Sequence, residues 1–134
     1  MKKVYVFLAD GFEEIEGLTV VDVLRRAGAD TETVSVMGRK EISGSHGIHV
    51  MADSLFEESD FSDARLLVLP GGMPGTTNLK DHTGLTELLE RFDREEKYIA
   101  AICAAPSILG SLGMLKGRKA CGYPSFEDKL DCEE

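Results

Sequence analysis

The sequence predicts a doubly wound α/β protein built on a largely parallel sheet, and three observations carry that expectation. Strand-like and helix-like segments alternate along the 134 residues. The strand candidates are continuous apolar runs, as expected of strands buried on both faces. Three of these runs end in chemically distinctive pieces: Asp10 to Glu16, Pro70-Gly71-Gly72, and Cys103. In open parallel sheets the carboxyl ends of strands are where ligands bind.

The elements follow in order. Residues 4–9, Val-Tyr-Val-Phe-Leu-Ala, read as a buried strand stopped by Asp10-Gly11. A helix is predicted over about 12–27, with Gly28 as its stop. Val20, Val23, Leu24 and Ala27 recur at helical spacing and predict the inward stripe, and Glu16 falls on it one turn earlier. Leu18 and Val21, with Asp22 near them, predict a second apolar patch for another layer or a partner subunit. Residues 31–37 read as a strand and 41–52 as an extended hairpin-like excursion. Residues 54–62 read as an acidic connection tacked down by Phe56 and Phe61. Residues 65–69 form the next buried strand. Residues 83–94 make an amphipathic helix with Leu85, Leu88, Leu89 and Phe92 on one face. A strand runs from 98 into Cys103, a helix follows to about 112, and residues 119–123 start one more strand.

Composition bounds the function. Asp plus Glu outnumber Lys plus Arg, 24 to 15, giving a formal charge of -9. That balance disfavours nucleic acid and anionic membranes as partners. Cys103, Cys121 and Cys132 are odd in number and hold no C-x-x-C pair, so no disulfide framework is predicted and a reducing cytoplasm fits best. No segment approaches membrane-spanning length. There is no G-x-G-x-x-G after the first strand and no G-K-[ST] loop, which leaves nucleotide cradles unsupported. His46 and His49, three apart in an expected strand, point to opposite faces; with His82 on a loop, no metal cluster is predicted.

The chemistry centres on Cys103. Ala101 and Ala105 flank it two residues away on either side, the side-chain economy of a nucleophile elbow between strand and helix. A following helix start favours the thiolate. A small buried cysteine in an apolar run fits the same stretch. Glu16, an acid on a core-facing stripe, would carry a proton and donate a hydrogen bond to sulfur; a first-turn acid complementing the helix dipole is the alternative, and it suits Glu13 and Glu14 well. Gly71-Gly72 would let backbone N–H groups join that of Ala104 around an oxyanion, although Pro-Gly-Gly is equally an ordinary turn.

Three ordered motifs bring a resemblance. Leu-Val-Leu-Pro-Gly-Gly ending at Gly72, and Ile-Ala-Ala-Ile-Cys-Ala-Ala-Pro around Cys103, closely resemble the ThiJ/PfpI family. Ala-Asp-Gly-Phe-Glu-Glu-Ile-Glu ending at Glu16, then Val-Asp-Val-Leu-Arg-Arg-Ala-Gly ending at Gly28, resemble its branch of the Parkinson-disease protein deglycase and bacterial relatives. The resemblance implies a flavodoxin-like fold, a homodimer to which the first helix contributes, and a site needing no cofactor and no metal. It implies that Cys103 is the reactive, easily oxidised cysteine and Glu16 the protonated glutamate. Gly72 and Ala104 are then the backbone oxyanion positions, with Gly71, Tyr123, His46 and Asp22 as supporting candidates. Many relatives carry a histidine at the position of Tyr123, and some an arginine at that of His46. Ala104 behind the cysteine, where protease-like and amidotransferase-like branches use a histidine in or near a triad, argues against peptidase and glutaminase activity.

The implied function is a glyoxalase or protein deglycase acting on α-oxoaldehydes such as methylglyoxal, or on their adducts with proteins. The alternative is a redox-sensing or chaperone-like stress protein. One domain spanning 1–134 is expected. By comparison with the family it would lack the usual C-terminal strand and helix beyond Leu130.

Overall fold

A computed structural model describes residues 3–133. Strands β1 (Lys3–Leu8), β2 (Thr31–Ser35), β5 (Ser54–Leu55), β6 (Ala64–Leu69) and β7 (Tyr98–Ala101) form one parallel sheet in the order β5-β2-β1-β6-β7. Between β2 and β5, β3 (Glu41–Ser43) and β4 (His49–Met51) pair as a small antiparallel hairpin. The helices are α1 (Glu14–Arg26), α2 (Gly75–Asp81), α3 (Thr83–Arg94) and α4 (Pro106–Ser111).

The strand order has a consequence for function. The chain leaves β1 in one direction, to β2 and β5, and returns on the other side, to β6 and β7. The direction of winding therefore reverses between β1 and β6, and the crevice beyond their carboxyl ends is where such sheets place ligands. Asp10 to Glu16 follow β1 there, Pro70-Gly71-Gly72 follow β6, and Cys103 stands just past β7.

Alternation along the strands builds two apolar layers. Tyr5, Phe7, Leu67 and Leu69 face Leu79 of α2, the stripe Leu85, Leu88, Leu89 and Phe92 of α3, and Ile108 and Leu109 of α4. Val4, Val6, Leu8 and Val68 face the other way, onto Phe12, Val21 and Ile42. Phe61 and Phe56 tack the 54–62 connection onto the first layer. Their ring centroids are 5.0 Å apart, and Phe61 lies 4.9 Å from Tyr5. This matches the expectation for those two side chains.

Four expectations need correction. The α1 face seated on the sheet is that of Gly17 and Val21, with Leu18 only partly covered, so the patch assigned to another layer is used within the chain. Val20 and Leu24 of the predicted inward stripe pack partly buried against the same layer, and with Val23 they line an open groove of about 480 Å³ together with Leu66, Val68 and Ile102. Val23 is 55% exposed at the open side of that groove. Helix α1 begins at Glu14 rather than 12, since Phe12 is drawn into the core. Residues 119–123 form no strand. Helix α2 was not foreseen: Gly75, Thr76, Thr77 and Asn78 are weak helix formers. The helix is held by the fully buried Leu79 and by the Asn78 side-chain amide, which donates to Asp10 O at 2.8 Å.

Candidate active site

Cys103 sits on a sharp reversal. Strand β7 ends at Ala101, Ile102 N–H still bonds Leu69 O at 3.2 Å, and α4 begins at Pro106. The turn between them puts Cys103 at φ 64, in the left-handed region that disfavours any residue with a Cβ. Ala105 is fully buried and Ala104 nearly so, leaving no room for larger side chains behind the sulfur. The geometry is that of a nucleophile elbow.

Glu16 reaches the same place from α1. Its Oε1 accepts the Gly71 N–H at 3.0 Å, while Glu13 N–H donates to Gly71 O at 2.9 Å. The start of α1 and the end of β6 are thus bonded in both directions. Gly71 is the meeting point: a Cβ there would lie 2.5 Å from Glu16 Oε1 and 2.8 Å from Cys103 Cβ. Gly72 follows at φ 94, with its would-be Cβ only 2.4 Å from Glu13 N, so only glycine fits. Among the described residues, the Gly72 N–H makes no backbone hydrogen bond.

The electrostatics differ from the sequence expectation. Burial pushes the Cys103 thiol up from its ordinary value. The Glu16 carboxylate, as hydrogen-bond partner and as charge, pushes it further, and the Ala104 N–H opposes them. Helix α4 has only one and a half turns, so its start does not outweigh desolvation and a neighbouring carboxylate. A thiolate here requires the proton to move, and Glu16 is the group placed beside it.

The supporting candidates separate. Tyr123 is carried to the elbow by its backbone, its N–H donating to Cys103 O at 2.8 Å, while its side chain stays largely exposed. Asp22 pairs with Arg26 at 3.0 Å on the exposed side of α1. His46 lies in the turn between β3 and β4, not on a strand, and packs against the start of α1. There its Nδ1 is 3.1 Å from Glu14 Oε1 and 3.5 Å from Glu13 Oε2. The ligand atoms of Glu13, Glu14 and His46 all lie within 4.8 Å of one another, a convergence that positions far apart in sequence had concealed. Glu14 already has its oxygens engaged by the N–H groups of His46 at 2.8 Å and Ile48 at 3.3 Å, and by Ser45 Oγ at 3.3 Å. The arrangement therefore acts as a clamp between α1 and the hairpin. Burial resists the Glu14 charge, but these N–H groups, that of its own residue and the imidazole hold the carboxyl down at about 2.

A titration checks the clamp. The hydrogen bond that its imidazole donates to Glu14 raises His46 above 6.5, with the Glu13 charge helping. The contribution of the charged imidazole is complete below 6.5 and lost as pH rises through the raised value. The NMR midpoint of His46 is expected above 6.5 and should fall back toward it in Glu14→Gln. An unmoved midpoint in that variant would assign the shift to Glu13 instead.

A parallel sheet that reverses its winding at β1, with a cysteine on an elbow at its carboxyl edge, defines a flavodoxin-like α/β protein with a candidate nucleophile. The sequence matches the DJ-1/PfpI family over residues 2–134, and the chain belongs to that family. Protein DJ-1 homolog A of Arabidopsis thaliana is 41% identical over 130 residues, which is 96% of this chain and 33% of the relative. A protein of Pyrococcus abyssi named a deglycase is 34% identical over 129 residues, covering 96% of this chain and 76% of that one. The structure of oxidized Toxoplasma gondii DJ-1 superposes with a TM-score of 0.92 at 39% identity, over 96% of this chain and 71% of that chain. The chain thus spans about a third of the length of the Arabidopsis relative it matches. Among the described residues no helix is long and apolar enough to cross a membrane.

Proposed function

We propose that the protein converts small α-oxoaldehydes such as methylglyoxal, or their early adducts with protein side chains, into hydroxy acids, using Cys103 as nucleophile and Glu16 as proton carrier. The observation that carries this reading is the meeting of Glu16 and Cys103 over Gly71 at the switch point of the sheet. The pair holds one proton between them. Glu16 takes it from the thiol, and the sulfur adds to the aldehyde carbon to form a hemithioacetal. The developing oxyanion is met by the N–H groups of Gly72 and Ala104. Glu16 returns its proton to that oxygen and, again a carboxylate, carries the carbon-bound proton to the neighbouring carbon through an enediol, leaving a thioester; water then releases the hydroxy acid and the thiol. The chemistry calls for no cofactor. A homodimer assembled through α1 and residence in the cytoplasm complete the proposal, as does exclusion of nucleic acid as a partner by the charge of -9.

The test is a methylglyoxal assay on the 134-residue chain with lactate as readout, beside Cys103→Ala. Lactate from the native chain and none from the variant is the expected result. Equal lactate from both would sink the mechanism.

A second reading has its own support: the Toxoplasma relative was solved oxidized. In it Cys103 is a peroxide-sensitive thiol with Glu16 as its hydrogen-bond partner. Mass spectrometry after mild peroxide treatment checks it: selective gain of two oxygens on Cys103 is expected, and no such gain would overturn it.

A further inference from the structure

We propose that the protein carries a phosphate-binding subsite between α2, α4 and the helical turn Pro124–Lys129, which takes the phosphate of a small phosphomonoester. Binding there is independent of turnover at Cys103.

A cavity of about 210 Å³ opens between these elements. Pockets that enclose a whole drug-sized ligand run to roughly 300–1,000 Å³, so this one suits a single group of a ligand. Thr76, Thr77 and Lys80 of α2, Ser107 and Ser111 of α4, and Lys129 line it, and among the described residues no carboxylate does. The chain as a whole has 24 acidic residues against 15 basic ones. Elsewhere Lys3, Arg25, Arg26, Arg39, Lys116 and Arg118 each pair with a carboxylate. Lys80 and Lys129 form no ion pair among the described residues, although Asp81 and Asp128 adjoin them in sequence. The Lys129 ammonium lies 5.0 Å from the centroid of the Phe126 ring, which lines the same cavity. Two like charges on one small cavity repel, and an anion seated beside both turns that repulsion into attraction. A phosphomonoester carries roughly −1.5 to −2 charges at pH 7, against one for a carboxylate, and so matches two ammonium groups.

Thr76 supplies an uncharged donor. It is 4% exposed, and its hydroxyl has no hydrogen-bond partner, the one buried side-chain group in that position among the described residues. A buried hydroxyl left unpaired is costly, and phosphate oxygens are strong acceptors. The Ser107 and Ser111 hydroxyls already donate, to Ala104 O at 2.6 Å and Ile108 O at 2.7 Å. The side-chain donors left for an anion are Lys80, Lys129, Thr76 and Thr77. Met73, next after Gly72, lines the cavity too, and the Ser107 hydroxyl is bonded to the residue behind Cys103. The subsite therefore abuts the two backbone segments that build the crevice.

The experiment titrates the isotope-labelled chain with inorganic phosphate at pH 7 and constant ionic strength, following backbone amide shifts by NMR. Saturable shifts centred on Thr76, Thr77, Lys80, Ser107 and Ser111 are expected. Lys80→Ala and Lys129→Ala, both at exposed positions, should each weaken binding at least about fivefold. Lys40→Ala removes the same charge from an exposed turn elsewhere and should weaken it by less than about twofold. Thr76→Val should weaken it at least about threefold with the melting temperature equal or higher, because the unpaired hydroxyl is gone. Acetate should bind at least about fivefold more weakly than phosphate. Shifts that never saturate or that spread over the surface, equal losses in Lys40→Ala and the two cavity lysines, undiminished affinity in Thr76→Val, or acetate bound as tightly as phosphate would each overturn the inference.

Discussion

Glu16→Gln is expected to lower lactate formation from methylglyoxal by roughly 10²–10⁴-fold, the usual worth of a positioned acid–base group, while making Cys103 easier to alkylate at neutral pH. The two effects have opposite signs because Glu16 has two opposed influences. As a carboxylate it raises the thiol, by hydrogen bond and by charge, on top of the rise caused by burial. Glutamine keeps the shape and removes the charge. The midpoint of the alkylation-rate profile with iodoacetamide should therefore shift to lower pH, and more thiolate should be present at pH 7. Turnover still fails, because glutamine cannot carry a proton between two carbons. A merely structural Glu16 would lower turnover without moving that midpoint downward. Slower alkylation in Glu16→Gln would reverse the assignment, making the glutamate a proton donor that stabilises the thiolate at rest.

Gly71→Ala should cost at least about a hundredfold in turnover, the scale of an ångström-sized misplacement of reacting groups. The added Cβ meets three things at once: Glu16 Oε1 at 2.5 Å, Cys103 Cβ at 2.8 Å and Ile102 O at 2.9 Å. Glu16 can swing away, but only by giving up its bond to the Gly71 N–H. The carbonyl and the elbow belong to backbone fixed by β7 and α4 and cannot yield cheaply. Overpacking of this kind destabilises by roughly 1–3 kcal/mol, so a lowered melting temperature should accompany the loss. Turnover and melting temperature both unchanged would mean that Glu16 and Cys103 do not depend on Gly71 for their approach.

The sequence was informative where a pattern is local and strong. Leu85, Leu88, Leu89 and Phe92 mark α3 because one face of that helix is almost wholly apolar, and all four are buried. Cys103 was marked in the sequence by its small flanking residues Ala101 and Ala105; the elbow buries Ala105 fully and Ala101 partly. Glu16 was singled out from its helical stripe, and the structure brings its carboxylate to Gly71 beside Cys103. Of its stripe mates, Val20 and Leu24 pack partly buried against the layer that Gly17 and Val21 also face, while Val23 stays exposed at an open groove. A helical stripe shows which residues share a face, not whether something covers it. Helix α2 was missed because its support is tertiary, from Leu79 in the core and the Asp10 carbonyl. The Glu14–His46 clamp joins residues 32 positions apart, and no local rule links them.

The left-handed backbone at Cys103 also governs how any variant of that residue should be interpreted. A side chain with a Cβ at φ 64 costs roughly 1–2 kcal/mol there, and glycine would remove most of that cost. Alanine and serine inherit the same torsional burden as cysteine, so they isolate the loss of sulfur. Glycine changes two properties together, chemistry and backbone freedom. A chain that keeps cysteine at this position carries a standing thermodynamic handicap for as long as it holds a thiol at the mouth of the crevice.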